Sequence, residues 1–289
     1  EIRDAAALWG KGSRETEHEL KRTLGEELQI LTIGPAGENM VHFSCINHDW
    51  GRQSGRGGMG AVLGSKKVKA IAILGTKGIA LYDPKGLLSL TKEVLSHIYK
   101  HPYFPRFSKY GTTDITDWCQ ENGVLPTRNF QLGYFEDEKK INGEALRDTL
   151  YVNDKACFAC PLGCGTYTYS KTYNTYLEGP EYETIGMLGS NCGINEIEKI
   201  HYLNYLCDDY GLDTITTGSV IAFTMECFEK GIISSKDTDG LEIRFGNFEA
   251  MIKLIKKIVK KEGIGNILSE GTKKAASVIK SGSERFAMN

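Results

Sequence analysis

Cys157-Phe158-Ala159-Cys160-Pro161-Leu162-Gly163-Cys164-Gly165 is the stretch that most restricts how this chain folds. Its cysteines, in Cys-x2-Cys-x3-Cys spacing, can reach one soft metal centre only if the backbone turns tightly around that centre. Gly163 and Gly165 permit the positive φ angles that such a loop uses. The sequence therefore predicts a metal or cluster loop with all three cysteines as ligands.

The number of cysteines leaves the identity of the centre open. A tetrahedral zinc ion or a four-iron cluster normally takes four protein ligands, so Cys157, Cys160 and Cys164 need a fourth ligand from elsewhere. Paired Cys-x2-Cys motifs at both ends of a site favour structural zinc, whereas a tight triplet with one remote partner favours an iron–sulfur cluster. The spacing therefore favours a cluster over zinc, and disulfides come third.

Composition excludes several classes of protein. The chain has 289 residues, 40% of them hydrophobic, and a formal net charge of −2, so it lacks the basic character of a nucleic-acid-binding protein. Apolar runs such as Val220–Phe223 are far shorter than a membrane span, and the N-terminus has no signal pattern. Because the five cysteines outside the loop are scattered singly and no export signal is present, we expect a reduced, cytoplasmic setting without nucleic acid or membrane partners.

The pattern of apolar residues predicts an α+β fold. Up to residue 78 the chain reads as mixed α and β, and from residue 79 to residue 289 it reads as mainly helical. The predicted elements of the first part are a helix through Trp9, a helix capped by Thr16-x-x-Glu19 and ending near Gly25, strands at Leu28–Ile33, Met40–Ile46 and Val68–Leu74, and a turn at Gly34–Asn39. The predicted helices of the second part are Leu87–Tyr99, Asp114–Glu121, one capped by Asn195-x-x-Glu198, Thr214–Lys230, and one with an apolar stripe through Met251, Leu254, Ile255, Ile258 and Val259.

A glycine-rich segment, Gly55–Lys67, is the second candidate site. It contains Gly-x-Gly-x-x-Gly, but the preceding residues 47–54 are polar and cannot form the buried strand on which a dinucleotide fingerprint depends. One interpretation is an anion site, in which backbone N–H groups approach a phosphate that Arg52 and Arg56 neutralise. The other is a close-packed turn between two elements, and the segment alone favours neither.

Two acidic segments complete the set of candidates. Glu178-Gly-Pro-Glu-Tyr-Glu-Thr184 brings carboxylates close together for acid or base chemistry, although surface acids are common. Asp208-Asp-Tyr-Gly-Leu-Asp-Thr214 connects two predicted helices. Its acids either cap the second helix or accept hydrogen bonds from a heterocyclic cofactor, and capping is the simpler interpretation.

Five segments in this order resemble the tungsten-dependent aldehyde:ferredoxin oxidoreductase family. They are Arg56-Gly-Gly-Met-Gly-Ala-Val-Leu-Gly-Ser-Lys66, Leu125-Pro-Thr-Arg-Asn-Phe130, the cysteine loop, Glu181-Tyr-Glu-Thr184 and Asp208-x-x-Gly-Leu-Asp-Thr214. The resemblance spans nearly the whole chain. It implies that residues 1–78 are the C-terminal part of a pterin-cradling N-terminal domain, and that residues 79–289 form a mainly helical domain carrying an iron–sulfur loop and a pterin-contacting loop.

The resemblance also implies cofactors. These are a tungsten or molybdenum ion held by the dithiolenes of two pterins, a nearby [4Fe-4S] cluster, and magnesium between the pterin phosphates. Cys157, Cys160 and Cys164 would be cluster ligands, and the family's fourth ligand is a cysteine in a later Asp-x-x-Gly-Leu-Cys motif that this sequence lacks. We therefore expect an internal piece of a longer protein, with the fourth ligand beyond Asn289.

Residue roles follow from the same resemblance. Glu183 is the best match for the family's active-site glutamate, and Glu181 is the second, because alignments from the cysteines and from the Asp208 segment differ by one residue. The residues expected at pterin are Arg56, Gly57 and Gly58 at its phosphates, and Asp208, Leu212 and Asp213 in the later loop.

The implied reaction is oxidation of an aldehyde with water to a carboxylate, with electrons leaving singly through the cluster to ferredoxin or another redox partner. A rival within the family is a low-potential reductase of aromatic acyl-CoA thioesters of the benzoyl-CoA type. A rival from another class is a non-catalytic iron–sulfur or zinc scaffold.

A homodimer is among the assemblies that the family implies. Some members bind a metal between two subunits through Glu-x-x-His just before the Asp-x-x-Gly-Leu motif. Here that position reads Tyr202-Leu-Asn-Tyr205, and Glu198-x-x-His201 lies one turn earlier. We therefore predict no bridging metal.

Overall fold

The N-terminal part of the chain is built on a four-stranded antiparallel sheet in the order β3-β2-β1-β4. The structure is a computed structural model and describes residues 1–288. The strands are β1 Gln29–Thr32, β2 Ile46–His48, β3 Arg52–Ser54 and β4 Ala70–Ile73. β1 pairs with β4 from Gln29 opposite Ile73 to Thr32 opposite Ala70. The predicted strands at 28–33 and 68–74 are therefore confirmed.

The predicted strand at Met40–Ile46 is wrong except for its last residue, where β2 begins. Met40 has a φ of 56°, which a strand does not tolerate. The backbone that follows bonds to a distant segment instead: the amide of Asp213 donates to the carbonyl of Phe43 at 3.0 Å, and the amide of Cys45 donates to that of Gly211 at 2.9 Å. A long-range contact has replaced the local pairing that the sequence pattern favours.

Three helices accompany this sheet: α1 Ser13–Leu24, α2 Pro35–Glu38 and α3 Met59–Ser65. The end of α1 at Gly25 is as predicted, but the capping box is wrong, since Gly12 is the N-cap and Thr16 Oγ1 donates to the Gly12 carbonyl at 2.7 Å. The predicted turn at 34–39 contains α2, whose first residue is a proline, a residue suited to that position. The predicted first helix is only a 3-10 turn, Ala6–Leu8.

A second antiparallel sheet, in the order β5-β6-β7, lies within the part of the chain that the sequence predicts as helical. Its strands are β5 Tyr151–Lys155, β6 Gly165–Ser170 and β7 Thr175–Glu178. The alternation of Thr and Tyr through β6 was an available signal for a strand, with the Thr side chains buried and the Tyr side chains half-buried. This sheet matters because the cysteine loop connects β5 to β6.

The remaining helices form most of the second part. Their bounds are α4 Pro84–Lys100, α5 Phe104–Tyr110, α6 Ile115–Glu121, α7 Gly143–Thr149, α8 Tyr182–Thr184, α9 Ile197–Tyr210, α10 Thr214–Glu229, α11 Phe248–Lys260, α12 Ile264–Leu268 and α13 Thr272–Ile279. A π-helical turn, Ile185–Gly189, follows α8 directly. The helices predicted at 87–99, 114–121, 214–230 and around the 251–259 stripe are confirmed, and all five stripe residues are buried.

The predicted cap of α9 is wrong. Glu196 occupies the N-cap without a side-chain bond, and Asn195 Nδ2 instead donates to Asp137 Oδ2 at 2.6 Å. Glu198 accepts hydrogen bonds from Ser170 and Thr172, both at 2.9 Å, and so joins α9 to the second sheet. Asn195 and Glu198 therefore bond to residues distant in the chain and do not form a capping box.

The hydrophobic core lies where α9, α10 and α11 pack together, with the π-helical turn pressed against α10. α9 also contacts α1 and the second sheet, so it links the two parts of the chain. Two small sheets beside a larger helical layer confirm the α+β class. None of the helices in the described part of the chain combines the length and hydrophobicity that crossing a bilayer requires.

Candidate active site

The cysteine loop is held at its base by the pairing of Lys155 with Gly165 between β5 and β6. Within the loop, the amide of Cys160 donates to the carbonyl of Cys157 at 3.1 Å, and Ala159 and Gly163 have φ angles of 55° and 58°. The positive φ predicted at Gly163 is therefore present. Gly165 has no positive φ. It lies in β6, where an added Cβ would come within 2.8 Å of a Glu178 carboxylate oxygen.

The three loop cysteines are free thiols at the surface, with Cys157 exposed and the other two half-buried. Burial, followed by the nearby charge of Glu181, raises the pKa of Cys164. Among residues 1–288 no three Cys, His, Asp or Glu side chains lie close enough together to hold a metal ion. The five other cysteines, Cys45, Cys119, Cys192, Cys207 and Cys227, are buried away from the loop surface.

Two ion pairs join the β2–β3 hairpin to the base of this loop. Arg52 Nη2 lies 2.5 Å from Glu178 Oε1, and its Nε donates to Oε2 at 3.1 Å. Lys155 Nζ lies 2.9 Å from Asp49 Oδ2. The anion-site interpretation of the sequence places Arg52 at a phosphate. Its guanidinium pairs with Glu178 in this structure, and contact with a phosphate stays a prediction.

A cavity of about 290 Å³ opens beside the hairpin and the acidic segments. It is lined by Gly51, Gln53, Glu178, Glu181, Glu183, Thr184, Asn204, Asp208, Thr214 and Ile215. Four of these residues carry carboxyl groups, and they come from β7, from the segment around α8, and from the end of α9. The structure therefore brings together both acidic segments that the sequence singled out.

Glu181 and Glu183 occupy different environments on the cavity wall. Glu183 is exposed, whereas Glu181 is half-buried and accepts a short hydrogen bond from the hydroxyl of Thr112. Burial raises the pKa of Glu181, and the charge of Glu183 raises it further, against the opposing effects of Thr112 and Arg52. Glu181 is thus the carboxyl whose proton affinity is tuned, and Glu183 is the one open to a molecule in the cavity.

Thr112 ties this segment to the cysteine loop. Its hydroxyl also accepts a hydrogen bond from the amide of Tyr182 at 3.0 Å. The preceding residue, Gly111, has a φ of 59° and packs so closely on the carbonyl of Cys164 that a Cβ would overlap it. Loop and glutamate are therefore held in a fixed relation through two neighbouring residues.

Asp208 forms the buried wall of the cavity. Its carboxylate accepts hydrogen bonds from Gln53 Nε2 at 2.5 Å and Asn204 Nδ2 at 3.0 Å, and burial raises its pKa well above the ordinary value. Its carbonyl accepts bonds from Ser13 Oγ at 2.5 Å and Asn47 Nδ2 at 2.6 Å. A side chain fixed in this way, and facing a cavity, is suited to contact a polar heterocycle.

Asp213 and Leu212 play structural parts in the same loop. Asp213 caps α10, accepting bonds from the amides of Ile215 and Thr216, both at 3.1 Å, as the simpler interpretation of this segment expects. Arg56, largely exposed, approaches Asp213 at 3.6 Å. Leu212 is fully buried. Contact of Leu212 and Asp213 with pterin stays a prediction.

The glycine-rich segment is packed closely where its second half meets neighbouring backbone. A Cβ on Gly58 would overlap the carbonyl of His42, one on Gly60 would lie 2.6 Å from that of Cys45, and one on Gly64 would overlap that of Gly37. Gly57, with a φ of 104°, has no atom within 4 Å of where its Cβ would be. Close packing therefore explains most of these glycines, and the open Gly57 and the exposed Arg56 are what this segment offers to an anion.

The segment Leu125–Phe130 lies against the helical core instead of the cavity. The amides of Arg128 and Asn129 donate to the carbonyls of Ser190 and Asn191, at 3.2 and 3.0 Å. This motif therefore positions the turns that follow α8.

Glu198 and His201 do not form a metal site. His201 is fully buried, its Nδ1 lies 3.3 Å from Thr175 Oγ1, and burial lowers its pKa to about 4. Glu198 points at Ser170 and Thr172. Both side chains are engaged in joining α9 to the second sheet.

Sequence reasoning missed Gln53, Thr112 and the pairing of Arg52 with Glu178. Each acts on a residue more than 60 positions away along the chain, so no local motif marks it. The sequence shows Arg52 and Glu178 as separate charged residues, and nothing in it indicates that they meet.

Comparison with known proteins gives matches over nearly the whole chain. A family model described as "Aldehyde ferredoxin oxidoreductase, N-terminal domain" matches residues 1–75, and one described as "Aldehyde ferredoxin oxidoreductase, domains 2 & 3" matches residues 89–289. Tungsten-containing aldehyde ferredoxin oxidoreductase of Pyrococcus abyssi is 43% identical over 94% of this chain and 45% of its own length. The enzyme of the same name from Thermococcus kodakarensis is 41% identical over 100% of this chain and 48% of its own length.

Two further relatives carry different names. The aliphatic sulfonate oxidoreductase, WOR-like subunit, of Pyrococcus furiosus is 34% identical over 96% of this chain and 46% of its own length. A solved structure, the active site complex BamBC of benzoyl coenzyme A reductase with 1,5-dienoyl-CoA, has a TM-score of 0.85 and 29% identity, and covers 100% of this chain and 45% of the matched one. The chain spans about half the length of the curated relatives that it matches.

Proposed function

The chain belongs to the aldehyde ferredoxin oxidoreductase family, and from this premise we propose that its protein oxidises an aldehyde to a carboxylic acid at a tungstopterin centre and passes the electrons through a [4Fe-4S] cluster to ferredoxin. The relatives are named as oxidoreductases, which supports an enzyme of this class. Because this chain spans about half their length, the activity is proposed for the whole protein.

One observation supports the proposal above the others. The cavity that collects Glu181, Glu183 and Asp208 lies beside the cysteine loop, and Arg52 contacts both regions. A site of this kind needs a polar substrate pocket and an electron outlet within a short distance. The donor chemistry of the loop fits a cluster, because it offers three free thiols, the ligand type that iron–sulfur clusters use, although these side chains are not gathered closely enough for a single metal ion.

When bound, the tungstopterin and the cluster supply the two-electron oxidation and its one-electron outlet. Cys157, Cys160 and Cys164 would hold the cluster. Asp208, with its carboxylate fixed by Asn204 and Gln53, would accept hydrogen bonds from pterin N–H groups, and the loop residues Leu212 and Asp213 would complete that contact. Arg56 and Gly57 would lie at the pterin phosphates together with magnesium, and the closely packed Gly58 would position the backbone beside them.

The two glutamates would divide the handling of protons. Glu183, open to the cavity, would take the proton from the attacking water. Glu181, whose pKa burial raises, would hold a proton beside it. Both would face the aldehyde from the same wall, while the buried side of the cavity excludes bulk water.

We propose a redox protein such as ferredoxin as the partner, a homodimer as the assembly and the cytoplasm as the location. Nucleic acid and membranes are not among the proposed partners. Two relatives are named as parts of assemblies, one as a subunit and one as a complex, which supports a partner of some kind.

A second candidate is reduction of an aromatic acyl-CoA. The benzoyl coenzyme A reductase structure, similar over the whole of this chain, favours it. The higher identity to the aldehyde enzymes favours the first candidate. Assays of the anaerobically purified protein with aldehydes and an oxidised viologen dye, and with 1,5-dienoyl-CoA, separate the two.

Metal analysis tests the proposal directly. We expect tungsten, about four irons per chain and pterin fluorescence after oxidation. Zinc alone, without pterin fluorescence, would overturn it and favour a structural scaffold.

We expect Glu183→Gln to keep tungsten and iron but to lose activity, by about 10² to 10⁴-fold in kcat, because the amide cannot accept the proton. The exposed Glu121, which does not line the cavity, gives a control in the variant Glu121→Gln. Full turnover by Glu183→Gln would remove this residue from the mechanism.

A further inference from the structure

Arg52 and Glu178 form a partly buried ion pair with one hydrogen bond and a second close N–O contact, and the proposed function gives this pair no role. The carboxylate side chain is 7% exposed and the guanidinium side chain 31%, and the pair bridges β3 and β7. Its fork geometry, at 2.5 and 3.1 Å, fixes both groups. A pair shielded from solvent in this way exerts a stronger field on its surroundings than a surface pair does.

The two charges face different parts of the cysteine loop. The guanidinium interacts with Cys157, the first predicted ligand. The carboxylate lies over Gly165, the residue after the last predicted ligand, where a Cβ would come within 2.8 Å of its oxygen. The first ligand of the loop therefore lies beside the positive member of the pair, and the end of the loop lies beside the negative member.

Reduction of an iron–sulfur cluster adds one negative charge, so its potential depends on nearby charges and on hydrogen bonds to its sulfurs. A cation beside a ligand sulfur stabilises the reduced state, and an anion stabilises the oxidised state. We propose that Arg52 and Glu178 set the reduction potential of the cluster in the cysteine loop, with Arg52 raising it and Glu178 lowering it. This inference rests on the proposed function.

The alternative is a purely mechanical role, in which the pair only anchors the loop to the hairpin. Asp49 and Lys155 make a similar connection at 2.9 Å, but the Asp49 side chain is 40% exposed, so solvent screens its charge. Asp49→Asn therefore loosens the same hairpin with little change in the field at the cluster. Arg244→Gln removes a charge that is 63% exposed, pairs with Glu242 and lies over the ring of Phe228, and it serves as a remote control.

The test is a redox titration of the full, anaerobically purified chain, in which dithionite supplies one electron per cluster through mediators and EPR follows the reduced state. We expect Arg52→Gln to shift the midpoint to a more negative potential and Glu178→Gln to shift it to a more positive one. Asp49→Asn and Arg244→Gln should stay close to the unsubstituted protein.

Shifts of Arg52→Gln and Glu178→Gln in the same direction, or no shift with iron retained, would overturn the inference. If Arg52→Gln loses iron, the midpoint potentials of Arg52→Lys, which keeps the charge, and of Glu178→Gln are compared instead. Loss of iron in all three variants would show a mechanical role only. An unsubstituted protein that holds no iron would instead contradict the proposed function, so the two failures are distinguishable.

Discussion

At the scale of single residues, the hydroxyl of Thr112 forms two hydrogen bonds that fix the segment carrying Glu181. It donates to the Glu181 carboxylate and accepts from the amide of Tyr182, so one side chain fixes both the carboxyl and the start of α8. Tyr182 in turn donates to the buried thiol of Cys119 at 3.0 Å. The position of Glu181 in the cavity is therefore decided outside its own segment.

We expect Thr112→Val to raise the pKa of Glu181 further, because the ionised carboxylate loses a hydrogen bond. If Glu181 takes part in the reaction in its protonated form, the alkaline limb of kcat/KM against pH should move to higher pH. Thr112→Ser keeps the hydroxyl and should keep the original profile. Identical pH profiles for Thr112→Val and the unsubstituted enzyme would contradict this role.

Residue types identify the candidates at this scale but not their partners. Glu181, Glu183 and Asp208 are identified through their motifs, and the structure brings all three to one cavity. The contact of Gln53 with Asp208 joins residues 155 positions apart, and no local pattern records such a distance. Which residues contact one another is therefore decided by the folded structure.

At the scale of elements, the packing of α3 on α2 explains why the chain needs small residues there. The backbones of Gly37 and Gly64 approach so closely that neither position leaves room for a side chain. Gly60 approaches the backbone of Cys45 in the same way. The glycines therefore bring α3 onto the segment that leads to β2, beside the loop of Asp208 and Asp213.

We expect Gly64→Ala to lower the free energy of unfolding by about 1–3 kcal/mol, since the new methyl group overlaps a carbonyl that cannot move independently. Gly55→Ala is the control, because the nearest atom to its Cβ would be 3.9 Å away. Chemical denaturation measures both. A Gly64→Ala variant as stable as Gly55→Ala would mean that α2 and α3 can separate at little cost.

Elements with a strong helical period were predictable, and the short strands of the second sheet were not. The stripe of α11 repeats over several turns, so its burial follows from the pattern. The strands of the second sheet span only four to six residues each and gain their stability from pairing with one another. The sequence therefore locates the cysteine loop but not the sheet that holds it.

At the scale of the whole molecule, His201 lies where α9 packs against the second sheet. It is fully buried on α9, faces Thr175 of β7, and has no partner for Nε2. Burial lowers its pKa to about 4, whereas in the unfolded chain it is about 6.5. Between these values the unfolded chain binds a proton that the folded chain does not.

The unfolding free energy should therefore fall as the pH drops from about 6.5 to about 4. Relative to His201→Gln, we expect the unsubstituted protein to lose roughly 3 kcal/mol across this window. Burial raises the pKa of Glu138 to about 7, so this group lowers the unfolding free energy as the pH rises. Glu138 is present in both proteins, so its contribution cancels in the difference. The exposed His97 provides the control variant His97→Gln, and a pH-independent difference for His201→Gln would contradict the prediction.

The sequence by itself determined the α+β class, the family, the cysteine loop and the acidic segments, because residue type, spacing and helical period are local properties that the sequence displays directly. Only the tertiary structure decided that Arg52 forms an ion pair with Glu178 and that Thr112 donates a hydrogen bond to Glu181. It also decided that Glu181, Glu183 and Asp208 line one cavity and that Glu181 lies near Cys164 of the cysteine loop. These contacts depend on how sheets and helices bring distant segments together. Closing the long intervening loops costs entropy, so each contact stabilises the protein only when the whole chain has folded.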